Sequence, residues 1–285
     1  MFELPHTLSQ LLFSLFTSGS LLTPLPDAPL PLQHAIPGGL VVLDTGLYGE
    51  RPDLQFNGMP VMMQRTQPQA EWQAIIGLPL TQPAGKIQLQ LGSQQRLIEV
   101  ADFAYQEQHL QVKKKHVDLS EANLQRVLAE QKQIKQAFRH FSASQSSFQP
   151  LRWPLAGPLT SPFGKKRFFN GKPRKPHSGL DIAAPTGTRI YAPAAGKVIL
   201  TGDFFFNGNS VFIDHGQGLI TMYCHLNTIT VKTGDSLQTG SVLGEVGASG
   251  RATGPHLHWS ASLNNARINP LLLLDPRLLT AQPAP

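Results

Sequence analysis

From Trp153 onward the chain is a series of short apolar segments parted by glycine. Lys197 to Leu200, Ser210 to Ile213, Leu219 to Tyr223, Ser241 to Gly244 and His256 to Trp259 are such runs, and Gly234, Gly240, Gly244, Gly247, Gly250 and Gly254 punctuate the last third. Runs this short between turn formers read as strands, and no segment there carries a 3.6-residue apolar period long enough for a helix. This half should therefore be a compact antiparallel β domain. With 25 Gly and 24 Pro among 285 residues and only 15% charged, the composition agrees with a turn-rich β protein. The single cysteine, Cys224, excludes an intrachain disulfide framework and any cysteine-based zinc or iron–sulfur cluster.

Upstream the pattern changes three times. Leu11 to Leu22 is an apolar run of signal-peptide length, shorter than the about 20 residues of a spanning helix. It marks residues 1–28 as a leader-like segment and the protein as exported, not as an integral membrane protein. Prolines from Pro24 to Pro37 predict an extended linker. Gly39 to Leu43, Val61 to Met63, Ala74 to Gly77, the alternating Lys86 to Leu91, and Leu97 to Val100 then predict a small antiparallel β-sandwich within 29–117. Asp118 with Glu121 three residues on reads as a capping box. Leu124, Val127, Leu128, Ile134, Phe138 and Phe141 follow at helical spacing and predict an amphipathic helix from Leu119 to Phe141, packing one domain on the other. Helix and polar linker occupy 118–149, the second β domain 150–276, and a tail 277–285.

Five of the ten histidines, His177, His215, His225, His256 and His258, fall in the second domain. Residues two apart on a strand share a face, so His256 and His258 project together while Leu257 and Trp259 enter the core. Pro176, Gly179 and Pro185 argue against a helix around His177 and Asp181, which can meet only across an extended or turning backbone. Neutral imidazoles with one carboxylate suit zinc, which in catalytic sites keeps three protein ligands and an open position. The candidates outnumber three, leaving histidines for acid–base work beside the metal. His215, where a strand runs into the Gly216 to Gly218 turn, reads as structural.

These residues carry a family resemblance. His177 and Asp181 as H-x-x-x-D, His256 and His258 as H-x-H, and Tyr223 to Leu226 as Y-x-H-L resemble the lysostaphin-type (LytM) zinc endopeptidases, which cleave peptidoglycan cross-links. The likeness runs from about Trp153 to Asp275 and includes the turns at Gly234-Asp235 and Ser249 to Gly254. It implies one Zn²⁺ per chain held by His177, Asp181 and His258, with His225 and His256 as the catalytic pair. It implies a LytM-type peptidase domain over 150–276, in which a metal-activated water attacks the peptide bond in a groove between loops. Two departures stand out: Ser260 follows the H-x-H aromatic where many relatives carry Glu, and no Tyr occurs between Trp153 and Ile190. Oxyanion support would then fall to zinc with His225 and His256.

The formal charge of +6 favours an anionic partner. Lys165, Lys166, Arg167, Lys172, Arg174 and Lys175 directly precede His177, so the cluster should rim the groove and attract the carboxylates of peptidoglycan stems, not a nucleic acid. Cys224 should face away from its strand neighbour His225 and pack inside. The expected protein is a periplasmic or envelope-associated peptidoglycan endopeptidase. Two other classes are a catalytically silent wall-binding or activator protein, which would lack one or more of the five residues, and a biotinyl- or lipoyl-carrier-like domain around Val231 to Asp235, which would leave the histidines idle.

Overall fold

In the computed structural model, residues 30–91, 94–111, 120–143 and 147–279 are described; the leader-like segment 1–28 and Asp118 lie outside them. The first domain is β-rich, as its alternation predicts. An antiparallel three-stranded sheet runs Leu40–Asp44, Gln73–Gly77, Met62–Gln64. The hairpin Gly85–Leu91 with Gln94–Val100 adds a second layer, and Val41, Met63, Ile76, Leu89 and Ile98 close one core between them.

The helix spans Glu121–Phe138. Its N-cap is Ser120, whose hydroxyl accepts from the Asn123 amide at 3.3 Å, and it stops three residues before Phe141, with Arg139 as C-cap. Only half of its apolar stripe is used. Phe138 is buried and Ile134 packs beside it, against Phe204, Phe212 and Met222 of the second domain; Val127 is also buried, whereas Leu124 and Leu128 are exposed. Among the described residues no helix is long and apolar enough to cross a membrane.

The second domain is built on one antiparallel sheet of ten strands, with Lys166–Phe169 and Lys172–Pro173 pairing outside it. Its main path runs Ser236–Leu237, Gly196–Phe204, Gly208–Asp214, Ile220–Ile229, His256–Leu263, Leu180–Ala183 and Leu159–Ser161. Leu257, Trp259, Tyr223, Ile182 and Ile213 are wholly buried in its core. Three central strands fix the histidines: Asp181 and Cys224 each lie directly opposite His258, one on either side.

Side-chain amides stitch the two domains together. Asn264, in a left-handed turn, accepts from Gly77 N at 2.7 Å and donates to Gly77 O at 3.0 Å, so it acts as one more strand residue. Gln217 accepts from Met63 N and from Arg51, and Gln64 accepts from Phe148 N. Unpaired buried backbone groups cost about 1–3 kcal/mol each. Asn264→Ala leaves two such groups and loses a residue suited to positive φ, so it should lower unfolding free energy by about 2–4 kcal/mol in a urea titration.

Candidate metal centre

His256, His258 and Ser260 alternate with buried Leu257 and Trp259 along their strand, as period-two geometry requires. His177 comes from the extended segment just before Leu180–Ala183, and Asp181 from within that strand. The three ligand atoms converge tightly. Asp181 Oδ1 lies 3.0 Å from His177 Nε2 and 2.8 Å from His258 Nδ1, and the two nitrogens are 3.0 Å apart. Among the described residues this is the group placed to hold a metal ion.

The protons of these imidazoles are fixed from behind. His177 Nδ1 lies 2.8 Å from the Pro162 carbonyl, which can only accept, so Nδ1 carries the proton and Nε2 keeps its lone pair. His258 Nε2 lies 3.0 Å from Ser260 Oγ, whose own proton goes to Ser178 O at 2.8 Å. Ser260 must therefore accept from His258, leaving the Nδ1 lone pair facing Asp181. Burial pushes the His258 imidazole down to about 4, so it is neutral at pH 7. Two facing lone pairs and a carboxylate oxygen within 3.0 Å, with no proton between them, form a donor set that a cation completes. Two imidazoles and a carboxylate fit zinc.

His225 and His256 face this set from one side, their rings 4.8 Å apart. His256 Nε2 lies 3.8 Å from Asp181 Oδ1. Each donates Nδ1–H to a backbone carbonyl, Ser249 O at 2.9 Å for His225 and Gly254 O at 2.8 Å for His256, so each presents Nε2 as a proton acceptor. Burial keeps His225 below its ordinary pKa. Simple strand alternation does not explain how His225 gets there. Its φ is +65°, and the pairing of Asn209 with Leu226 slips before Val211. Such left-handed, non-glycine positions cost about 1–3 kcal/mol and persist where surrounding bonds over-determine them. Here the His225 amide donates to Asn207 O at 2.8 Å.

Cys224 is buried among Phe138, Phe212 and Met222, and burial pushes its thiol up to about 12, leaving no thiolate. His215 points away from the cleft, between Ala195 O and Thr221 Oγ1 at 2.8 Å each.

The centre opens into a cleft of about 890 Å³. Of the six basic residues before His177, Lys165 and Arg167 line it. Lys166, Lys172, Arg174 and Lys175 are exposed; Lys166–Phe169 and Lys172–Pro173 form an antiparallel strand pair. Arg167 Nη2 stands 4.0 Å from Asp181 Oδ2. Glu107–Leu110 pairs in parallel with Lys166–Phe169, His109 stacks on Phe168, and Gln108 thereby reaches the cleft wall. No local sequence signal marks that pairing. Ser260, noted in the sequence only as a departure from relatives, was missed as a site residue; its strand parity with His256 and His258 is the signal that could have found it.

A profile for peptidase family M23 matches residues 175–270, and one for the peptidase family M23 N-terminal domain matches 33–103. A crystal structure of a Pseudomonas aeruginosa protein ascribed to peptidase M23 is similar over 85% of this chain and 96% of that one, at 41% identity and a TM-score of 0.71. The DD-carboxypeptidase/endopeptidase Mpg of Neisseria meningitidis is 38% identical over 118 residues, 41% of this chain and 27% of that protein. The peptidoglycan DD-endopeptidase ShyA of Vibrio cholerae is 37% identical over 128 residues, 44% of this chain and 29% of that protein. The matches thus span under a third of these curated relatives' own lengths.

Proposed function

The chain belongs to peptidase family M23, and from that premise we propose that it is a zinc-dependent endopeptidase hydrolysing peptide cross-links of bacterial peptidoglycan. The observation that carries this reading is the convergence of His177 Nε2, Asp181 Oδ1 and His258 Nδ1 beside the lone pairs of His225 and His256. A silent wall-binding relative would lack part of that set.

Zinc, when bound by His177, Asp181 and His258 at one ion per chain, supplies a Lewis acid and a water of near-neutral pKa. The histidine pair does the proton work. With Nδ1–H tied to Ser249 O, His225 has only Nε2 free to accept, and His256, tied to Gly254 O, has the same polarity. Between them they take the proton of the attacking water and deliver it to the leaving amine. Once protonated, either supports the developing oxyanion, and no tyrosine is needed.

Arg167 and Lys165 give the cleft a positive wall suited to the carboxylates of peptide stems. The names of the relatives, a DD-carboxypeptidase/endopeptidase and a peptidoglycan DD-endopeptidase, favour a DD-endopeptidase activity here as well. The site of action is the envelope, reached by export through the leader-like segment. The domain within 29–117 serves as a fixed support: its amide bonds to the catalytic sheet lie away from the cleft, to which it contributes Gln108 among the described residues.

Purified peptidoglycan incubated with the protein should release monomeric stem peptides from cross-linked dimers, cease to do so with a chelator, and resume with zinc. A zinc-loaded protein that leaves every cross-link intact would refute the reading. Loss of a charge-assisted contact costs about 1.5–3 kcal/mol, so Arg167→Gln should raise KM for a muropeptide dimer about tenfold or more with zinc content unchanged.

A further inference from the structure

We infer that Ser260, given room by Gly179, is the positioning residue that locks His258 in its Nε2–H tautomer and so turns Nδ1 toward the metal. The assignment rests on the zinc site above but not on the reaction carried out there.

Ser260 is wholly buried and has a single proton. That proton is committed to the Ser178 carbonyl at 2.8 Å, so toward His258 Nε2, 3.0 Å away, the hydroxyl can only accept. A buried imidazole that must donate from Nε2 has one tautomer left when neutral, with the Nδ1 lone pair 2.8 Å from Asp181 Oδ1. One hydroxyl therefore joins the strand bearing His258 to the segment bearing His177, because Ser178 is the residue next to that ligand. Without Ser260 the imidazole can carry its proton on Nδ1, hydrogen-bonded to Asp181, and the metal must then displace that proton.

Gly179 makes the arrangement possible. A Cβ there would collide with Trp259 O, Ser260 Oγ at 2.6 Å and His258 Cε1 at 2.8 Å. Backbone and hydroxyl pack in direct contact behind the ligand, with no room for a side chain between them. Partners behind a metal-bound histidine typically change metal affinity about 10- to 100-fold when removed.

The test uses the full chain in metal-free and zinc-loaded forms. Nitrogen-15 NMR of the metal-free wild type at neutral pH should show His258 protonated on Nε2. Ser260→Ala should populate both tautomers and bind zinc about 10- to 100-fold more weakly in competition with a chelator. A wild-type His258 found protonated on Nδ1, or a Ser260→Ala protein binding zinc as tightly as wild type, overturns the assignment. Should Ser260→Ala fail to fold, the wild-type tautomer decides alone. Neither readout is activity, so a protein that passes both tests yet leaves peptidoglycan intact would refute the endopeptidase reading and leave Ser260 in place.

Discussion

His258→Ala should abolish stoichiometric zinc binding and reduce cross-link cleavage by roughly 10³-fold or more, since in the proposed mechanism the metal supplies the neutral-pH nucleophile and a catalytic zinc site has only three protein ligands. The expectation comes from position as well as residue type. His258 lies between two strands, opposite Asp181 on one and Cys224 on the other, and its Nδ1 is within 3.0 Å of both other ligand atoms. No other described side chain is placed to substitute. His256 Nε2 is 3.8 Å from Asp181 Oδ1 and its Nδ1 is tied to Gly254 O. Equilibrium dialysis against zinc, followed by a cleavage assay at saturating metal, measures both effects. A variant that still binds one zinc and cleaves normally would place the ligand elsewhere.

His225→Asn should separate metal binding from chemistry. Asparagine tolerates positive φ, so the strained backbone at +65° can persist and the main-chain bond to Asn207 O with it. The metal ligands are untouched, and zinc content should stay at the wild-type level. Asparagine offers no comparable proton acceptor, and loss of a positioned general acid–base group costs about 10²–10⁴ in rate. The loss should appear in kcat, with KM changed little, because the residue acts on the proton and not on the stem. Unchanged kcat in the zinc-loaded variant would remove His225 from the mechanism. Parallel loss of zinc and activity would make it a ligand.

Much of this site was legible before the fold, and the rest was hidden for identifiable reasons. Period two along His256 to Ser260 is a local property, and the burial of Leu257 and Trp259 between the histidines follows it. The meeting of His177 and Asp181 with that strand depends on register between segments about 80 residues apart, which no local pattern encodes; it came from the family resemblance. His225 is subtler. Alternation correctly put Cys224 in the core, but what turns His225 toward the His177–Asp181–His258 cluster is a register slip and a left-handed residue, and no glycine or asparagine marks the spot. The helix shows the same limit on a larger scale. Its spacing was readable, yet Ile134 and Phe138 pack on the sheet while Leu124 and Leu128 stay exposed, because the partner surface and not the helix decides which apolar residues are covered. Likewise the basic run was readable as a cluster, but only pairing with Glu107–Leu110 and Lys172–Pro173 determines that Lys165 and Arg167 turn inward.

The central claim is a single zinc held by three particular atoms. It is tested most directly by a crystal structure of the zinc-loaded protein with anomalous data collected on both sides of the zinc edge. The account predicts one strong peak per chain, about 2.0–2.2 Å from each of His177 Nε2, Asp181 Oδ1 and His258 Nδ1, with His225 and His256 outside bonding range. A peak bonded to His225 or His256, or no peak among these residues in a protein that cleaves cross-links, would contradict it.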